Sequence, residues 1–135
     1  MHHLHFNALA VAVSGAILWL IGALWYSPLL FAKPWSKLVT VPTEGKGKTM
    51  MVGMMASLIL DMVLAFVLAH VILWSGADSF YHGALIGFIL WMGFFAAPAL
   101  PQGIYEGRPF KLFAINTGYM LVGLTVIGGV LAVWQ

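Results

Sequence analysis

Residues Met50 to Trp74 read MMVGMMASLILDMVLAFVLAHVILW. The run is long enough to cross the hydrocarbon core of a bilayer as a helix, and its only charged residue, Asp61, lies near the middle. Lipid offers neither hydrogen bonds nor counter-charge, so an ionisable group at that depth needs a protein partner or a functional reason. Further apolar runs extend over residues 6–26, 80–97 and 110–134. The pattern predicts an all-α membrane protein, with residues 1–135 forming a single domain of four transmembrane helices.

Composition points the same way. The chain is 62% hydrophobic and 7% charged, where soluble domains carry roughly 25% charged residues. With 135 residues it is too short to hide that much apolar surface in a water-soluble core. A net charge of +2 without a basic stripe argues against nucleic acid as a partner. Cysteine is absent, which excludes disulfides, thiolate metal sites and a cysteine nucleophile. The first apolar run lacks the basic start of a secretory signal and reads as a span.

All 6 Lys and Arg residues, at Lys33, Lys37, Lys46, Lys48, Arg108 and Lys111, lie in or beside the first and third connections. The positive-inside rule then puts both connections in the cytoplasm and both termini outside, giving an antiparallel bundle. The short second connection, SGADSFY over residues 75–81, agrees with antiparallel neighbours.

Small residues mark expected contact faces. Gly53, Ser57, Asp61, Ala65 and Ala69 recur every fourth residue and predict a narrow ridge bearing the acid. Gly83 and Gly87 make a G-x-x-x-G pair on helix three, which Pro98 and Pro101 are expected to end. On helix four, Asn116, Tyr119 and Gly123 share a face. Trp25, Tyr26, Trp35, Trp74, Phe80, Tyr81 and Trp134 sit at predicted helix ends, as interfacial anchors do. Trp19 and Trp91 fall mid-span and read as packing residues.

The stretch GALWYSPLLFAKPW, Gly22 to Trp35, is similar to the signature of a family of small bacterial membrane proteins known as domain of unknown function 1761. The resemblance extends over the chain, including the histidine-bearing start and the glycine-rich last helix. It implies a multi-span protein of the bacterial inner membrane. It brings no catalytic residues or activity to carry over.

Two candidate sites emerge. Counted from the cytoplasmic helix ends at 1.5 Å per residue, Asp61 lies about 16 Å deep and Tyr119 about 13 Å, with Asn116 shallower. No Lys or Arg lies in a helix core. Desolvation therefore favours a neutral Asp61, which acts either as a hydrogen-bonded packing centre or as a proton or cation site. The second candidate gathers His2, His3, His5, His70, Asp78 and His82 at the outer face, where imidazoles and a carboxylate suit Cu or Zn; interfacial histidines without metal are the plainer reading.

The GKGKT segment at residues 45–49 lacks the spacing of a phosphate-binding loop. No Ser-His-Asp set can be argued from order, and a non-enzyme is expected. Two functions stay open: a small proton- or cation-coupled transporter or channel using Asp61, and a non-catalytic accessory or assembly subunit of a membrane complex. The bundle is thin, so a homo-oligomer or another membrane protein is the expected partner besides lipid.

The topology has a direct check. Cysteines replacing Gly45 and Ser75 should respond oppositely to an impermeant thiol reagent added outside, with Ser75 labelled and Gly45 protected. The reverse pattern overturns the orientation.

Overall fold

The computed structural model describes residues 7–27 and 46–134, and among them there are helices and connections but no strand. Helix α1, Ala8–Trp25, starts at Asn7, whose side chain accepts from the Ala10 N–H at 3.1 Å and so satisfies one free amide of the first turn. Helix α2 spans Lys46–Ser75. It ends where Gly76 takes φ 77°, a left-handed conformation open to glycine at little cost. Ser79 then caps helix α3, its hydroxyl accepting from the His82 N–H at 3.2 Å.

Helix α3 runs over Phe80–Tyr105, beyond the end near Ala97 that its prolines predict. The turn before Pro98 is π-helical, over Met92–Ala96, with the Ala97 N–H donating to Met92 O five residues back. A widened turn lets the helix carry a proline that lacks a donor and would crowd the preceding turn, and the chain continues through Pro101. Helix α4, Phe110–Val133, follows a short connection in which Gly107 has φ 70°.

All four helices are long and apolar enough to cross a membrane. The architecture is that of a multi-pass membrane protein. Helix α4 is the most enclosed, with 44% of its most apolar window buried against 11% for α3, which makes it the central element. Residues 28–45, which hold Lys33, Trp35 and Lys37, lie outside the described residues.

Helices α3 and α4 meet backbone to backbone. A Cβ added at Gly83 would collide with the Gly128 carbonyl, and one at Gly87 with the Leu124 carbonyl. Gly128 in turn faces the Gly83 carbonyl. Helix α1 bridges the other two elements: its Gly15 lies against Met62 of α2, where a Cβ would stand 3.1 Å from Met62 Cα, and its Leu18 packs on Gly123 of α4. Leu18, Ile72 and Ile127 are fully enclosed, while Met51, Ile59 and Phe94 belong to an apolar outer surface suited to lipid.

Gly83→Leu or Gly128→Leu should therefore destabilise the fold by about 1–3 kcal/mol or more, since the clash is with backbone. Gly53→Leu should be nearly neutral, because nothing lies within 4 Å of a Cβ there. Unfolding titrations in mixed detergent micelles compare the three.

Candidate functional site

The site forms where α1, α2 and α4 meet. On α2, Asp61, Ala65, Leu68 and Ile72 are buried, Ala69 is half-buried, and Gly53 and Ser57 are exposed. The ridge expected from every-fourth spacing is buried only in part. Residues 50–60 are exposed on every side of the helix, so the first half of the line lies outside the bundle core whichever face it follows. Its middle faces protein and its first half faces outward.

Asp61 is 8% exposed, and its Oδ2 is enclosed without a hydrogen-bond partner among the described residues. Its titratable neighbour is Tyr119 of α4. The Tyr119 hydroxyl donates its single hydrogen to the Leu18 carbonyl of α1 at 3.1 Å. Gly22 makes room for this tyrosine, since a Cβ at that position would sit 3.1 Å from its Cζ and hydroxyl oxygen.

A second layer lies one turn nearer the end of α1. The Tyr26 ring stands edge-on to Tyr119, with centroids 6.0 Å apart. The Tyr26 hydroxyl donates to Asn116 Oδ1 at 2.8 Å, and Trp25 Nε1 donates to Ile115 O at 2.8 Å. Asn116, Tyr119 and Gly123 thus all face α1, as their spacing suggests. Sequence reasoning missed Trp25 and Tyr26, which it took as lipid anchors. The available signal was their polar tips, which find a partner when the ring is buried.

Asn116 also lines a cleft of about 120 Å³ between the last turns of α3 and the first turns of α4. Gln102, Glu106, Arg108, Phe113 and Thr117 share its wall. Arg108 and Glu106 approach to 3.6 Å, and both side chains are substantially exposed. Deeper in, Trp91 Nε1 donates to Thr117 O at 2.7 Å, and the Thr117 hydroxyl donates to Phe113 O at 2.6 Å.

The outer-face histidines are a different matter. His2, His3 and His5 lie outside the described residues. His70 Nδ1 donates to Phe66 O of its own helix at 2.8 Å, and His82 Nδ1 pairs with the Ser79 hydroxyl at 3.0 Å. Asp78 is exposed. Among the described residues no three His, Asp or Glu side chains come together to hold a metal ion.

Residues 9–132 match the family model described as Protein of unknown function (DUF1761). The chain belongs to that family. No curated protein and no solved structure matches it. The junction of this DUF1761 chain is one carboxyl group, one phenol and one backbone carbonyl, with no Lys or Arg in any helix core. Such a set can hold a proton, or a small cation by its oxygens.

Asp61→Asn should leave stability nearly unchanged, because the amide keeps a donor and an acceptor. Asp61→Leu should cost more, mainly by crowding. Tyr119→Phe should lose about 0.6 kcal/mol, the average for an interhelical hydrogen bond in a membrane. Thermal unfolding in detergent ranks the three; an Asp61→Leu protein as stable as wild type would remove Asp61 from the helix junction.

Proposed function

We propose that this protein is a small proton- or cation-coupled transporter or channel in which Asp61 binds the coupling ion. The observation that carries this reading is the buried Asp61 carboxyl group, whose Oδ2 has no hydrogen-bond partner among the described residues. Buried polar atoms are ordinarily satisfied, and an acid kept only to tie helices together has no reason to leave one oxygen idle. No Lys or Arg lies in a helix core to serve as its counter-charge. The proposal includes an antiparallel bundle with both termini outside. The Lys and Arg distribution supports it, as does the pairing of Gly83 with Gly128 and Gly87 with Leu124, in which rising numbers on one helix meet falling numbers on the other.

A second reading, an accessory or assembly subunit, draws on the exposed first half of α2. Residues 50–60 are all exposed, Gly53 and Ser57 among them, and small residues are the ones membrane helices pack against.

Proteoliposomes with an imposed pH gradient decide between the two. Ion flux under wild type, abolished by Asp61→Asn in a protein that remains folded, is the expected result. Equal flux with wild type and Asp61→Asn, or flux no greater than in empty liposomes, overturns the transporter reading.

A further inference from the structure

The prolines of α3 leave backbone acceptors without donors. In a regular helix the Ala97 N–H would serve the Gly93 carbonyl, but here it goes to Met92 O. The next residue is Pro98, which has no N–H, so neither position offers Gly93 O a donor. Pro98 also deprives the Phe94 carbonyl of its donor four residues on, and Pro101 deprives Ala97. Gly93 and Ala97 lie one turn apart on one face, with Phe94 beside them, and all three are exposed. Nothing lies within 4 Å of a Cβ at Gly93. We propose that a second copy of this chain covers this face, laying the first half of its α2 there with Ser57 donating to the freed Ala97 carbonyl.

Lipid cannot supply the donor. Counted from Tyr105 at 1.5 Å per residue, Ala97 lies about 12 Å and Gly93 about 18 Å along the span. That is within hydrocarbon, where unsatisfied backbone groups are costly. The chain itself carries a matching donor. Ser57 is exposed, and its hydroxyl has no partner among the described residues. Ser75 and Thr117, by contrast, donate to carbonyls three and four residues back. Counted from Met50, Ser57 lies about 10 Å along its own span. The start of α2 and the end of α3 share one side of the bundle, because the short turn after Ser75 joins them at the other. Ser57 and Ala97 are therefore level.

Within one chain the two do not meet, since α2 packs chiefly on α1 and α3 chiefly on α4. A second copy in the same orientation brings them together at one depth. Both surfaces are built for close approach: Gly53 and Ser57 on α2, and Gly93 and Ala97 on α3, are small residues one turn apart. Only such closeness lets the short serine side chain reach a carbonyl of the facing helix. With the helices antiparallel and Ser57 at Ala97, Gly53 falls opposite Pro101 and leaves room for its ring. Leu60, 63% exposed, falls opposite Phe94 and beside the gap at Gly93. Asp61 stays buried in its own chain, so the interface stands apart from the ion-site reading.

Cysteine pairing tests the contact directly, because the chain has no cysteine of its own. Two differently tagged copies, one with Ser57→Cys and the other with Ala97→Cys, are co-expressed and oxidised in isolated membranes. The mixed pair should give a disulfide-linked dimer. Ser57→Cys paired with Ile89→Cys, exposed but two turns from Ala97, should not. Energy transfer between labelled copies in liposomes, followed as protein is diluted into lipid, then measures association. Ser57→Ala should raise the dissociation constant about threefold, the equivalent of one average interhelical hydrogen bond. Gly93→Leu should raise it about tenfold or more, although a side chain there meets open space in the single chain. Disulfides that form at Ile89 as readily as at Ala97 overturn the inference. So does wild type that stays monomeric in liposomes, which would leave this face to lipid or to another membrane protein. If Gly93→Leu misfolds, the cysteine pair still decides, since both of its substitutions are small and at exposed positions.

Discussion

Helices in lipid cannot be held together by apolar burial, because the surrounding tails are as apolar as the side chains. What remains is close backbone contact and hydrogen bonding, and this chain uses both through its backbone carbonyls. Gly83, Gly87 and Gly128 bring α3 and α4 so close that carbonyls stand where side chains would otherwise be. Elsewhere an aromatic donor reaches a carbonyl on a neighbouring helix: Trp19 to Met54, Trp25 to Ile115, Trp91 to Thr117 and Tyr119 to Leu18. A helical carbonyl already engaged along its own helix has a second lone pair to accept such a donor. Interhelical ties of this kind leave the helices intact.

That economy explains why α4 is central. One of its faces is lined with glycine and meets α3; the other carries Asn116, Tyr119 and Gly123 and meets α1. Helix α2 joins chiefly through α1, at the Gly15–Met62 contact. Asp61, the residue next to Met62, is buried beside that contact. The α1–α4 seam is polar at Tyr26 and Asn116 and apolar toward Ile127 and Leu131.

Much of this was legible in the residues. Run length and charge mark the spans, the GALWYSPLLFAKPW segment points to the family, and the spacing of Gly83 with Gly87 and of Asn116 with Tyr119 marks contact faces. What was not legible has physical causes. Small residues at every fourth position mark a face fit for close packing but not how far along the helix a neighbour reaches, and α2 is exposed on all sides over residues 50–60, Gly53 and Ser57 included. Pro98 and Pro101 read as stops because a regular helix cannot carry them, and no local pattern announces that a π-helical turn will absorb the misfit. Trp25 and Tyr26 match lipid anchors in type and place; only the fold shows them bonded to residues 90 positions away.

Tyr119 links the site to its architecture, because its one hydrogen is spent on the Leu18 carbonyl of α1. That bond ties α1 to α4, and Gly22 leaves the room for the ring that makes it. A side chain larger than hydrogen at position 22 would press on the tyrosine and so on the contact between the two helices.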